Sequence, residues 1–165
     1  MNIGVPRFFW GGVTAVVISF IGHRHLYNSN ILFESVRQAI VENIDFVERV
    51  VFFCGGYGDF DDLCARACRS VKQQIKNCEI VFVTPYMTVA QQEKIKGLME
   101  LNLYDSVIYP PLEQVPLKFA ICKRNEWMVD QSDFIIAYVE HSFGGAYQSL
   151  RYARRKGKRI VNLAK

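Results

Sequence analysis

From position 13 onward, strand-length apolar runs alternate with longer amphipathic stretches, and this alternation constrains the fold more than any other feature of the sequence. Segments 13–21, 50–54, 79–84, 134–139 and 159–163 are rich in Val, Ile and Phe, with a shorter extended piece at 106–109. They show little polar alternation, as expected of strands covered on both faces. Between them, Ile31, Val36, Ile40 and Ile44 recur at helical spacing over 31–43, and Leu63, Ala67, Val71 and Ile75 do so over 62–76. Three further helices are expected at 90–100 after Thr84-Pro85, at 117–129 after Pro110-Pro111 and Pro116, and at 145–155 before Gly157. Arg154, Arg155 and Lys156 suit the negative end of the last one. Strands that alternate with helices predict an α/β chain whose doubly wound, mostly parallel sheet has five to six strands.

The chain has 165 residues, half of them apolar, enough for one domain to bury a core without disulfides or metal. That domain is read as 13–165, with 1–12 as an N-terminal extension. Arg7 and the apolar run interrupted by Gly11 and Gly12 resemble a secretory signal, but the run is short and lacks a small-x-small cleavage site. No stretch reaches the roughly 18 apolar residues of a membrane helix, so no membrane partner is expected. Cys54, Cys64, Cys68, Cys78 and Cys122 are odd in number and mostly lie inside apolar segments, which suits a reducing, cytoplasmic setting. Cys64 and Cys68 share a helix face, yet the histidines lie elsewhere and there is no Cys-x-x-Cys pair, so neither a metal nor a cofactor is expected. The formal charge of +4 suits a small anionic ligand. It falls short of the basic stripe that duplex nucleic acid demands, and a nucleic-acid partner is not expected on that ground.

In a doubly wound sheet, ligands lie beyond the carboxyl ends of the strands. Three loops there are informative: Gly22-His23-Arg24-His25, then the glycine loop 54–62, then His141 to Tyr147. Gly55, Gly56, Gly58, Gly144 and Gly145 allow backbone N–H groups to approach an anion, and each of these two glycine loops opens a helix with a positive end. Arg24 adds a fork of donors. No Gly-Lys-Ser/Thr follows and the spacing is not G-x-G-x-x-G, which disfavours a standard NTPase or dehydrogenase. Asp59, Asp61 and Asp62 either meet ribose hydroxyls, act as a general base or cap the helix. Tyr57, Phe60, Phe143 and Tyr147 either stack a base or form an interface.

The series Ile18-Ser-Phe-Ile-Gly-His-Arg24, the Gly-Gly-x-Gly loop 55–58 with Asp61, Val83-Thr-Pro85, the run from Arg124 and Asn125 to Asp133, and Gly144-Gly-x-x-Tyr147 resembles the SLOG superfamily. The chain is similar in particular to its small YpsA-like bacterial and phage members. The resemblance implies a Rossmann-like, three-layer α/β/α domain with a pocket for nucleotides or nucleotide-derived ligands, and it adds Arg124 and Asn125 to the site. Such proteins include LOG phosphoribohydrolases, DNA-processing DprA proteins and nucleotide-signal sensors. Against the LOG motif Pro-Gly-Gly-x-Gly-Thr-x-x-Glu, this chain has Cys54 for proline, Asp59 for threonine and the shorter Asp62 for the catalytic glutamate.

The leading expectation is nucleotide binding: phosphate on Gly55, Gly56, Gly58, Gly144 and Gly145, paired with Arg24, and ribose on Asp61 or Asp62. Gly22, His23, Tyr57, Asn125 and Tyr147 complete the expected ligand-binding set. A catalytic alternative is a LOG-like nucleoside-phosphate N-glycosidase or base transferase in which Asp61 or Asp62 steadies an oxocarbenium-like centre and Arg124 orients phosphate. A third is a sensor or interaction module. Association as a homodimer is expected because the family often associates through helices.

Overall fold

The structure is a computed structural model that describes residues 9–10, 13–45 and 48–164. Its elements run β1 (Phe9–Trp10), β2 (Val13–Gly22), α1 (Ser29–Asn43), β3 (Arg49–Cys54), α2 (Asp59–Lys72), β4 (Cys78–Val83) and α3 (Val89–Glu100). There follow β5 (Ser106–Ile108), α4 (Leu117–Gln131), β6 (Phe134–Tyr138), α5 (Gly144–Arg155) and β7 (Arg159–Asn162). β2 to β7 form a parallel sheet in the order β5-β4-β3-β2-β6-β7, as the strand and helix alternation predicts. β1 pairs antiparallel with β2, Phe9 opposite Thr14, within the stretch read as an extension. Arg7, Gly11 and Gly12, on which the signal-like reading rests, lie outside the described residues.

The continuous apolar character of the strands follows from cover on both faces. On one face, Ile18, Val50, Phe52, Ile80 and Phe82 pack with Val36 and Ile40 of α1 and Leu63, Ala67 and Val71 of α2. On the other, Val17, Val51, Phe53 and Val81 meet Met128 of α4, and Ile135 and Ala137 meet Leu150 and Ala153 of α5. Each large side chain so buried contributes on the order of 1.5–3 kcal/mol before entropy is counted. One expected core residue is displaced: Ile31 is 78% exposed, because the inward stripe of α1 runs through Leu32, Val36, Ala39 and Ile40. Among the described residues no helix is long and apolar enough to cross a membrane.

β2 is the central strand, with β3 on one side and β6 on the other, Ile18 standing opposite both Phe52 and Phe134. The chain leaves β2 through α1 on one face and returns to β6 through α4 on the other. This divergence opens a crevice at the carboxyl ends of β2, β3 and β6. Asp133 fixes the start of β6: its carboxylate accepts from Val17 N at 2.9 Å, and its own N–H donates to Val17 O at 2.9 Å. Beneath it, the Ser19 and Ser132 hydroxyls bond to each other inside the core, and Ser132 also donates to Met128 O at 2.6 Å.

Candidate functional site

The crevice holds a cleft of about 260 Å³. Gly22, His23 and Arg24 enter it after β2, and Gly55, Tyr57 and Asp61 after β3. Arg124 and Asn125 reach it from α4, and Gly144 and Gly145 from the start of α5. Ten of the residues expected from sequence therefore line one cleft. Gly56, Gly58, Asp62 and Tyr147 do not line it. Asp62 is exposed on α2, and Tyr147 packs beside Ile135 and Leu150 with the Arg151 guanidinium 5.9 Å from its ring.

The glycines divide by what surrounds them. A Cβ at Gly22 would lie 2.1 Å from the Phe60 ring, and one at Gly56 2.1 Å from the Phe82 ring. At Gly58 it would meet the Arg24 backbone at 2.7 Å, where Asp59 N donates to Arg24 O. Gly56 and Gly58 also have positive φ, +68° and +103°. At these three positions a side chain would collide with a neighbouring loop or ring, so close packing by itself requires glycine there. Gly144 and Gly145 differ: a Cβ at either would find nothing within 4 Å. The helix they open has Phe143 as its N-cap residue, makes no side-chain capping bond and carries no acidic residue in its first turn. Its leading N–H groups and positive dipole end are thus open to an anion in the cleft.

The start of α2 has the opposite character. Asp59, Asp61 and Asp62 occupy its first turn. Two of them tie loops together: Asp59 accepts from Leu26 N at 3.0 Å, and Asp61 accepts from Tyr57 N at 2.8 Å. This end of the cleft is therefore lined by the Asp61 carboxyl, while the start of α5 offers N–H groups and the positive end of its dipole.

Arg124 joins the two. It is 1% exposed, and its Nη1 donates to Gly55 O and Val83 O, both at 2.7 Å, while Nε donates to Asn125 Oδ1 at 2.9 Å. Asn125 Nδ2 continues to Ser149 Oγ at 3.4 Å. Three of the five guanidinium donors are thereby used on protein, and no bond from Nη2 to another described residue is found. No buried side-chain polar atom among the described residues lacks a partner, so Nη2 is not sealed from solvent, and Arg124 lines the cleft. Arg24 is exposed at the cleft wall and forms no ion pair among the described residues.

Burial sets the charges. Desolvation is the largest cause raising the Asp61 pKa, to about 6, with Asp62 adding; Arg124 and the Tyr57 N–H oppose it. Burial lowers the Arg124 pKa against Asp61, and desolvation raises the Tyr57 hydroxyl with help from Tyr86. His23 is lowered by desolvation and then by His141, with Glu140 opposing.

His23, Glu140 and His141 each offer a ligand atom within 4.8 Å of the others, the spacing of a metal site. However, His23 Nε2 accepts the Glu140 N–H at 2.9 Å. In a neutral imidazole this places the proton on Nδ1, and a metal would have to displace one or the other. Asp130, on the same helix as Arg124 and Asn125, lies outside the cleft: it accepts from Tyr152 Oη at 2.9 Å and pairs with Lys156 at 3.3 Å. Ser149 and Ile121 are lining residues that the sequence reading omits, although they stand one helical turn from Gly145 and Arg124.

No family model matches the chain, and no curated protein matches it. Solved structures that share its fold include two DNA processing proteins. DNA processing protein A from Helicobacter pylori, described for its unique single-stranded DNA binding mode, superimposes with a TM-score of 0.60 at 15% identity over 88% of this chain. DNA processing protein A from Streptococcus pneumoniae gives 0.60 at 18% identity, again over 88%. The chain spans 63% and 49% of the lengths of those proteins. They share with this chain the Rossmann-like α/β fold, a parallel sheet flanked by helices, that the sequence pattern predicts. The Helicobacter pylori neighbour corrects the expectation about nucleic acid, since a protein of the same fold has a single-stranded DNA binding mode. Net charge is an average over the chain, and a single strand needs only a local cationic groove.

Proposed function

We propose that the cleft binds the phosphate-bearing unit of a nucleotide, either free or as part of a single strand. The observation that carries this reading is the uncapped start of α5, where Gly144 and Gly145 leave open space opposite Arg24 and the Arg124 Nη2 edge. Phosphate takes the helix N–H groups and the two guanidinium groups; Asp61 faces the sugar. The motif series supports a place among the small YpsA-like SLOG proteins, and four buried free thiols suit a reducing cytoplasm. The single-stranded DNA mode of the Helicobacter pylori neighbour supports testing oligonucleotides beside mononucleotides.

The test is thermal unfolding with nucleoside mono- and diphosphates and short single-stranded oligonucleotides. A ligand at 100-fold its Kd stabilises by about 2.7 kcal/mol. A melting temperature unmoved by every probe at millimolar concentration overturns the reading.

A catalytic reading is favoured by one observation: Asp61, not Asp62, lines the cleft, and its pKa of about 6 lets it hold a proton near neutrality. If N-glycosidic cleavage occurs, Asp61 is the carboxyl that attends it. Release of free base from nucleoside monophosphates, abolished in Asp61→Asn, supports that chemistry, and no release over hours of incubation rejects it.

A further inference from the structure

The loop between β6 and α5 carries a stack of rings that the phosphate arrangement does not use. His141 and Phe143 lie nearly parallel, 13° apart with centroids at 5.2 Å. His141 is backed in turn by His23 at 4.9 Å, whose other neighbour is the edge of Tyr138 at 6.4 Å. The base of this ladder is fixed, because His23 Nε2 holds the Glu140 N–H and Tyr138 Oη donates to Glu140 at 2.8 Å. Its outer end is open: Phe143 is 70% exposed although it lines the cleft.

A large aromatic ring left in water at the mouth of a polar cleft is costly unless something covers it. Phe143 is the N-cap residue of α5, in extended backbone at φ −148° and ψ 168°, and its ring lies against His141. The covering group must be flat, because the ladder presents a ring face, and it must lie within reach of an anion held on Gly144 and Gly145, the next two residues. A nucleobase joined through a sugar to that phosphate meets both conditions.

We propose that Phe143, backed by His141 and His23, is the base-stacking platform of the cleft. The proposal rests on the nucleotide reading above and adds to it the position of the base. Stacking on a ring face tolerates any base, so the platform supplies affinity with little selectivity between purines and pyrimidines beyond stacking strength.

The experiment compares ribose phosphate with AMP and UMP on the wild-type chain, Phe143→Ala and Phe143→Trp. The proposal predicts that Phe143→Ala weakens AMP and UMP by on the order of 10-fold and leaves ribose phosphate unchanged. Phe143→Trp restores nucleotide binding, and its added fluorescence, measured against the wild-type background of Trp10 and Trp127, is quenched by AMP. Nucleotide affinity unaltered in Phe143→Ala overturns the platform while leaving the nucleotide reading intact. Equal loss for ribose phosphate and AMP, or bound AMP without quenching in Phe143→Trp, also overturns it. If the wild-type chain binds none of the three, the comparison is made with a short single-stranded oligonucleotide, whose affinity Phe143→Ala is then expected to weaken by on the order of 10-fold; no binding of that probe either removes the nucleotide reading and the platform with it.

Discussion

Arg124 reaches Gly55 across 69 positions of sequence, its Nη1 donating to the Gly55 carbonyl oxygen at 2.7 Å. The same nitrogen holds Val83 O, so one buried guanidinium ties the ends of β3 and β4 to α4 and shapes the cleft floor. Gly55 has no room for a side chain because Asp61 Oδ2 and Arg124 Nη1 close over it, at 2.9 and 3.0 Å from a Cβ placed there.

Arg124→Met leaves two buried carbonyl oxygens without their donor and is expected to cost about 2–4 kcal/mol of stability. Arg124→Lys recovers part of that, since a compact ammonium lacks the planar fork. Urea midpoints of the two variants check this. A loss below about 0.5 kcal/mol for Arg124→Met would mean that the clamp contributes nothing.

Asp61 predicts a pH dependence whose sign is unusual for a carboxylate. Its folded pKa, about 6, lies above the ordinary value of 3.8, so the folded state binds more protons between those limits. Its contribution is therefore most favourable below the ordinary value and is lost as pH rises towards 6. Measured from about pH 4 to about pH 7, the wild-type chain is expected to lose on the order of 2 kcal/mol relative to Asp61→Asn. Parallel stability curves for the two proteins would contradict the prediction.

The two kinds of glycine separate in denaturation experiments. Gly56→Ala forces a Cβ onto the Phe82 ring at a positive φ and is expected to destabilise by about 2 kcal/mol or more. Gly145→Ala meets open space in the first turn of α5 and is expected to be neutral or to stabilise by up to about 1 kcal/mol, while weakening phosphate-bearing ligands. Reversal of that order would remove the distinction between packing and ligand-facing glycines.

Arg24→Ala removes an exposed cation with no ion-pair partner among the described residues, so stability is expected to change by less than about 0.5 kcal/mol. Affinity for nucleotide is expected to fall by on the order of 10-fold, with a shallower dependence on salt. Calorimetric titration at two salt concentrations measures both effects.

The sheet was legible because a strand buried on both faces must be apolar throughout, as Val50 to Cys54 is. The convergence of loops was legible too, since strand and helix order alone places Arg24, Gly55 and Gly144 at one edge. The choice between Asp61 and Asp62 was not. Neighbours on a helix differ by about 100°, and α2 begins at Asp59, three residues before the expected start at position 62. Nor could sequence divide the glycines, because what crowds Gly22 and Gly56 is Phe60 and Phe82, brought there by tertiary packing. Ile31 has the right spacing for the core, but Leu32 takes the inward position. The nucleic-acid expectation failed for a related reason: a net charge of +4 does not report where the cations stand.

The central claim is that phosphate sits on the open start of α5. Proton–nitrogen correlation spectra of the labelled protein, titrated with AMP and with a short phosphorylated single strand, test it most directly. The account predicts that the amides of Gly144, Gly145 and Ala146 move furthest as the ligand saturates. Saturable binding that leaves those amides in place and shifts residues away from the cleft would contradict it.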